Sequence, residues 1–134
     1  MKLSGVKIFA GCFALVLFCS SAHANAVKKM SLTAQAELSD LVVVGKVVSI
    51  QEGVYGKSET ASGYNESYAR IVVTATLKGQ PPSTLDVLIR GPISEFNPDC
   101  CKIGDSYVFF LDRLGETDYQ AINAPYGIYH IDRL

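Results

Sequence analysis

Two adjacent cysteines, Cys100 and Cys101, are the side chains of this sequence best suited to redox or metal chemistry. Adjacent Cα atoms lie about 3.8 Å apart, whereas ordinary disulfides span roughly 4.4 to 6.8 Å. A disulfide within the pair, two partly buried thiols, and pairing with another chain or a redox role are all open alternatives at this point. Neither a Cys-x-x-Cys spacing nor a nearby histidine is present to activate a thiol. The pattern therefore favours a structural role for this pair.

His130 is the second candidate, because it is the one histidine that follows the first 24 residues. A structural zinc site needs about four Cys or His ligands, and the sequence offers only the cysteine pair and this distant histidine. His130 and Asp132 would share one face of a strand, and a Ser-His-Asp site would depend on a residue close to the end of the chain. We therefore predict no catalytic residue, no metal and no cofactor.

The first 24 residues have the features of a signal peptide. A lysine-containing start precedes an apolar run at 8–18, and Ala22-His23-Ala24 fits the cleavage pattern. We predict a signal peptide over 1–24, one domain over 25–134, and a periplasmic or secreted protein with no stable membrane anchor after cleavage. Two lysines leave with the leader, so ten basic residues face 13 acidic ones. This balance argues against a nucleic-acid partner.

Residues 25–134, the part predicted to be exported, are predicted to form strands and one short helix. Ala, Leu, Gln and Glu at 30–39 predict a helix of two or three turns. Runs rich in Val, Ile and aromatic residues predict strands at 41–50, 67–79, 84–91, 105–113, 118–123 and 127–131. Gly45 interrupts the first run and predicts a bend or bulge, and the polar stretch 51–66 predicts a long loop or a loose hairpin tip. We expect an all-β fold, a small five- to six-stranded barrel or sandwich.

Three short motifs carry a resemblance to a known family: Asp40-Leu41-Val42-Val43-Val44-Gly45-Lys46-Val47, Leu77-Lys78-Gly79 and Gly104-Asp105-Ser106-Tyr107. Over residues 30–123 the chain resembles bacterial exported relatives of the netrin-like domains, an OB-fold group that includes the tissue inhibitors of metalloproteinases. The resemblance implies an OB-like barrel. In those inhibitors an N-terminal cysteine binds the zinc of the protease, whereas the predicted N-terminus here is Asn25. Inhibition by that mechanism is therefore not expected.

The remaining candidates for function are aromatic side chains on the surface. Tyrosine is favoured at interfaces because it combines apolar area with a polar tip, although half-buried tyrosines of a barrel give the same pattern. We predict a non-catalytic module that binds a protein or envelope component through one barrel face and its loops, 51–66 and 91–99. The predicted surface comprises Tyr55, Tyr64, Tyr68, Phe96 and Tyr126. The alternatives are a small envelope enzyme or thiol-redox protein that uses Cys100 and Cys101, and a structural subunit of an envelope assembly.

Overall fold

A computed structural model describes residues 27–55 and 65–133. The predicted signal peptide and Tyr64 lie outside the described residues. The elements in chain order are α1 (Leu32–Leu38), β1 (Leu41–Tyr55), β2 (Asn65–Lys78), β3 (Thr84–Arg90), β4 (Ser106–Arg113), β5 (Asp118–Ala121) and β6 (Ile128–His130), with short 3₁₀ turns at Ser94–Phe96 and Ile131–Arg133. The prediction of a strand-rich fold with one short N-terminal helix is confirmed.

The six strands form one mixed sheet, five of whose strands form a ring. β1 pairs with β2, β2 with β3, β3 with β5, β5 with β4, and β4 pairs again with β1. All these pairs are antiparallel except β3–β5, which is parallel. β6 is added to β4 outside the ring. The sheet is therefore barrel-like.

The interior of the ring is filled by the alternate side chains that the strand pattern predicts. Val43 and Val47 of β1, Ile71 of β2, Val87 of β3 and Phe109 of β4 are fully buried. They belong to one cluster with Leu41, Ala69, Leu85, Tyr107, Leu111, Tyr119, Ala121 and Ile128. A smaller buried cluster lies on the other face of β4, where Val42, Val108 and Phe110 contact Ala36 of α1.

The helix α1 begins and ends as its flanking residues dictate. The Ser31 hydroxyl accepts a hydrogen bond from the Ala34 amide at 3.1 Å, which satisfies one of the free donors of the first turn. After the helix, the Ser39 hydroxyl donates to the Gln35 carbonyl at 2.6 Å. Among the described residues, no helix is long and apolar enough to cross a membrane.

The predicted loop over 51–66 is too long, because both neighbouring strands continue into it. Tyr55 is paired with Asn65, and Val54 with Glu66. The two strands of this hairpin stay paired beyond the end of their apolar pattern, so their ends could not be located from the polar sequence. Gly45 lies at one of four register shifts between β1 and β2, and the predicted irregularity at this position is confirmed.

Candidate functional site

A cleft of about 410 Å³ opens where β3 and β5 end and β2 begins. This volume lies within the usual range of ligand sites, and most of the wall is apolar. Leu88 and Ile89 of β3 form one side, and Ala121 with the chain that follows β5 forms another. The remaining lining residues are Val27, Glu66, Gly91, Pro92, Ile93, Phe96, Asn97, Pro98, Asp112, Leu114, Gln120, Ile122, Asn123 and Ala124.

The segment 91–98 forms the rim of the cleft, and its own hydrogen bonds fix its shape. The side-chain oxygen of Asn97 accepts a hydrogen bond from the Gly91 amide at 2.9 Å and so joins the two ends of the segment. Between them, the Phe96 amide donates to the Ile93 carbonyl at 3.1 Å and closes a 3₁₀ turn. As a result Ile93 and Phe96 lie at the rim, each with 49% of its surface exposed.

Asn123 holds the opposite side of the cleft in place. Its backbone is left-handed, with φ of 47°, a conformation that Asn tolerates better than most residues. Its Oδ1 accepts hydrogen bonds from the Met30 amide at 2.7 Å and from Nε2 of Gln35 at 3.4 Å, while its Nδ2 donates to the Lys28 carbonyl at 2.9 Å. One side chain thus fastens the segment before α1 beside the cleft, where Val27 joins the wall.

Two carboxylates, Glu66 and Asp112, line the cleft. Glu66 is only 2% exposed, and its Oε2 accepts a hydrogen bond from the Tyr68 hydroxyl at 2.5 Å. Burial, with the bond to Glu66 as a second cause, raises the pKa of Tyr68. Burial also raises the pKa of Asp112, and the negative charge of Asp40 adds to that rise. The cleft therefore holds negative charge in surroundings that solvate it poorly.

The five residues of the predicted binding surface do not form one group in the structure. Phe96 lines the cleft, and Tyr126 lines a second cavity. The prediction that Tyr68 belongs to the binding surface is wrong. Its side chain is only 1% exposed, because four consecutive residues at this end of β2 are buried. Tyr55 ends β1, and Tyr64 lies beyond the described residues. Glu66 and Asp112 were not predicted as site residues: Glu66 belongs to the polar stretch 51–66, and Asp112 lies within the predicted strand 105–113.

His130 borders the second cavity, which has a volume of about 280 Å³. Its Nε2 lies 3.0 Å from Oδ2 of Asp105, and its Nδ1 accepts a hydrogen bond from the Asp132 amide at 3.3 Å. The ring also contacts Tyr107 edge-on, with 5.0 Å between centroids. Since both ring nitrogens already have partners in the chain, a general base at this position would have to break one of these bonds.

Cys100 and Cys101 are joined to each other as a disulfide and are both partly buried. They pack against the main core cluster, next to the turn that leads into β4. The structural role that the sequence favours for this pair stays a prediction. Among the described residues, no group of three or more His, Cys, Asp or Glu side chains is arranged to hold a metal ion.

The comparisons with known proteins add no assignment to this geometry. No protein-family model matches the chain, and no curated protein is significantly similar to it.

Proposed function

We propose that this chain is an exported, non-catalytic binding module that takes part of a partner polypeptide into the cleft between segment 91–98 and the end of β5. The observation that carries the proposal is the combination of a 410 Å³ cavity with two half-exposed apolar side chains, Ile93 and Phe96, at its rim. Exposed apolar side chains grouped around a concave site are typical of interaction surfaces. The five-stranded ring supports an OB-like classification, because OB barrels also have five strands.

A site-specific crosslink tests this proposal directly. A photoreactive phenylalanine analogue replaces Phe96 in one variant and Ile103 in a second, and each full-length chain is exported by the cell and irradiated in the envelope. Ile103 is a matched control, since it is an exposed apolar residue that does not line the cleft. We expect position 96 to give one discrete crosslinked partner and position 103 to give none.

A capture assay complements the crosslink. The double variant Ile93→Ser/Phe96→Ser should lose about tenfold or more of the captured partner, because two buried apolar contacts in an interface each contribute on the order of 1 kcal/mol. Its melting temperature should stay near that of the parent, since both side chains are half exposed. Full capture by this variant, or an equal loss in Ile103→Ser, would show that the cleft is not the binding site.

Export is part of the same proposal and has its own measurement. The Ala22-His23-Ala24 sequence behind an apolar run supports cleavage before Asn25. The intact mass of the protein purified from the envelope should correspond to residues 25–134. A mass that retains residues 1–24, or a lipid on Cys19, would contradict it.

The alternative of an envelope enzyme is supported by one feature, the cavity that His130 borders. The hydrogen bonds that engage both of its ring nitrogens make it the weaker alternative. The replacement His130→Gln separates the two proposals, because the cleft does not include this residue. It should leave partner capture unchanged if the chain binds through the cleft.

A further inference from the structure

The charge of the cleft is of one sign. Among the described residues that line it, Glu66 and Asp112 carry charge, and no Lys, Arg or His is among them. Glu66 is 2% exposed and Asp112 is half-buried, and burial together with the charge of Asp40 raises the pKa of Asp112 against a weaker opposing attraction to Lys78. A cation bound beside a carboxylate that water solvates poorly gains more than it would at an open surface.

The apolar part of the cleft extends beyond the cavity itself. Leu88 and Ile89 lie in the wall, whereas Ile93 and Phe96 are half exposed at the rim. A small ligand confined to the cavity would leave that rim in contact with water. A segment that continues past the cavity with apolar residues would cover it and remove that apolar area from water.

We propose that the cleft recognises a basic side chain flanked by apolar residues on an extended segment of a partner polypeptide. The inference rests on the proposed function and names the chemistry of the segment that the cleft accepts. The ammonium or guanidinium group lies toward Asp112 and Glu66, its aliphatic stem lies along Leu88 and Ile89, and the flanking apolar residues cover Ile93 and Phe96.

Capped tripeptide amides test the inference by NMR titration of the isotope-labelled protein, purified after expression of the full chain. The probes are leucine-lysine-leucine and leucine-norleucine-leucine, which has the same stem without the ammonium group, and free n-hexylammonium. We expect the lysine peptide to bind about tenfold more tightly than the norleucine peptide, as one hydrogen bond to a charged group would give. The amide signals of Phe96, Ala121 and Asn123 should shift.

Two variants identify the origin of this preference. Asp112→Asn should reduce the preference for lysine over norleucine at least threefold and leave norleucine binding unchanged. Glu95→Gln is the matched control, since Glu95 lies in the same rim segment but does not line the cleft. It should leave the preference as in the parent.

Equal binding of the two tripeptides would overturn the inference while leaving the proposed function in place. Tighter binding of n-hexylammonium than of the lysine peptide would overturn the polypeptide part in favour of a small organic amine. Failure of every probe to shift the cleft amides would overturn the inference as a whole. The proposed function fails on a separate result, full partner capture by Ile93→Ser/Phe96→Ser.

Discussion

Gly45 of β1 lies so close to β2 that an added side chain would crowd its neighbours. A Cβ at this position would lie 3.1 Å from Cδ1 of Ile71 and 3.3 Å from the Val72 carbonyl oxygen. Its backbone is not among those with positive φ, so the reason for glycine is the close approach of β2 rather than a left-handed conformation. This contact explains why a glycine interrupts a run of valines.

The replacement Gly45→Val should therefore lower the free energy of unfolding by about 1–3 kcal/mol, the usual cost of overpacking a buried position. Urea denaturation measures the change. Lys46→Val places the same side chain at the next, exposed position of the strand and should change stability by no more than about 0.5 kcal/mol. If both variants matched the parent, Gly45 would be an ordinary strand residue.

Asp112 gives the fold a dependence on pH that can be assigned to one side chain. Burial and the charge of Asp40 raise its pKa above the ordinary value of 3.8, so the folded state holds this proton more tightly than the unfolded chain. The contribution of Asp112 to stability is therefore greatest below pH 3.8 and falls as the pH rises through the raised pKa. At neutral pH its charge is a cost to folding.

Removing that charge should stabilise the protein at neutral pH alone. We expect Asp112→Asn to match the parent near pH 3 and to have a higher free energy of unfolding than the parent at pH 7. Urea denaturation at both pH values measures this, and Glu95→Gln should show no such difference. A less stable Asp112→Asn at pH 7 would mean that the attraction of Asp112 to Lys78 outweighs burial.

At the scale of elements, Lys78 connects the end of β2 to the end of α1. Its Nζ donates hydrogen bonds to the carbonyl oxygens of Ala36 and Glu37 at 2.9 and 3.0 Å. Carbonyl groups in the last turn of a helix have no donor within the helix, so Lys78 satisfies two of them. A positive charge there also interacts favourably with the helix dipole. The Leu77-Lys78-Gly79 motif thus has a structural role in joining helix and sheet.

Lys78→Met keeps the aliphatic stem and removes the two hydrogen bonds, and it should cost about 1 kcal/mol of stability. Loss of helical circular dichroism ahead of the main thermal transition would locate the effect in α1. Lys102→Met removes an exposed lysine elsewhere and should leave the melting curve as in the parent. Equal curves for both variants would show that the helix does not depend on this cap.

Strand positions could be predicted from the sequence because each strand coincides with a local run of apolar residues. Within the predicted strand 105–113, Tyr107, Phe109 and Leu111 alternate toward the interior, and each is buried in the main cluster. The ring could not be predicted in the same way, since the β1–β4 and β3–β5 pairings join residues distant in sequence. Apart from the end of β1, the predicted helix and strands agree with the observed ones to within about two residues, the scatter normal for element ends.

The candidate site was harder to predict, because its walls come from four strands, three connections between strands and the segment before α1. Phe96 was found as an exposed aromatic residue in an irregular stretch. Tyr68 was misread because it flanks the polar stretch 51–66, whereas residues 66–69 of β2 are all buried, next to a register shift between Ser67 and Tyr68. Glu66 gave no signal at all, since a carboxylate in a polar stretch is normally solvated.

At the scale of the whole molecule, the cleft and the cysteine pair belong to different parts of the structure. Cys100 and Cys101 pack against the core, and neither lines the cleft. A binding module that uses the cleft should therefore tolerate loss of the two cysteines, whereas a thiol-redox protein should not. Replacing both cysteines by serine distinguishes these two functions in one variant.

We expect Cys100→Ser/Cys101→Ser to lose about 1 kcal/mol of stability, because two partly buried sulfur atoms that contact apolar side chains are exchanged for hydroxyl groups. Bonding adjacent residues closes almost no chain, so the gain of about 2–4 kcal/mol that longer disulfide loops provide is absent here.

The variant should still crosslink through position 96 and capture the same partner, at a temperature well below its melting point. Ser94→Ala, a change on the exposed rim, serves as the stability control and should melt like the parent. A double-serine protein that melts like the parent but has lost its partner or its cellular activity would refute the binding module and identify the cysteine pair as the functional group.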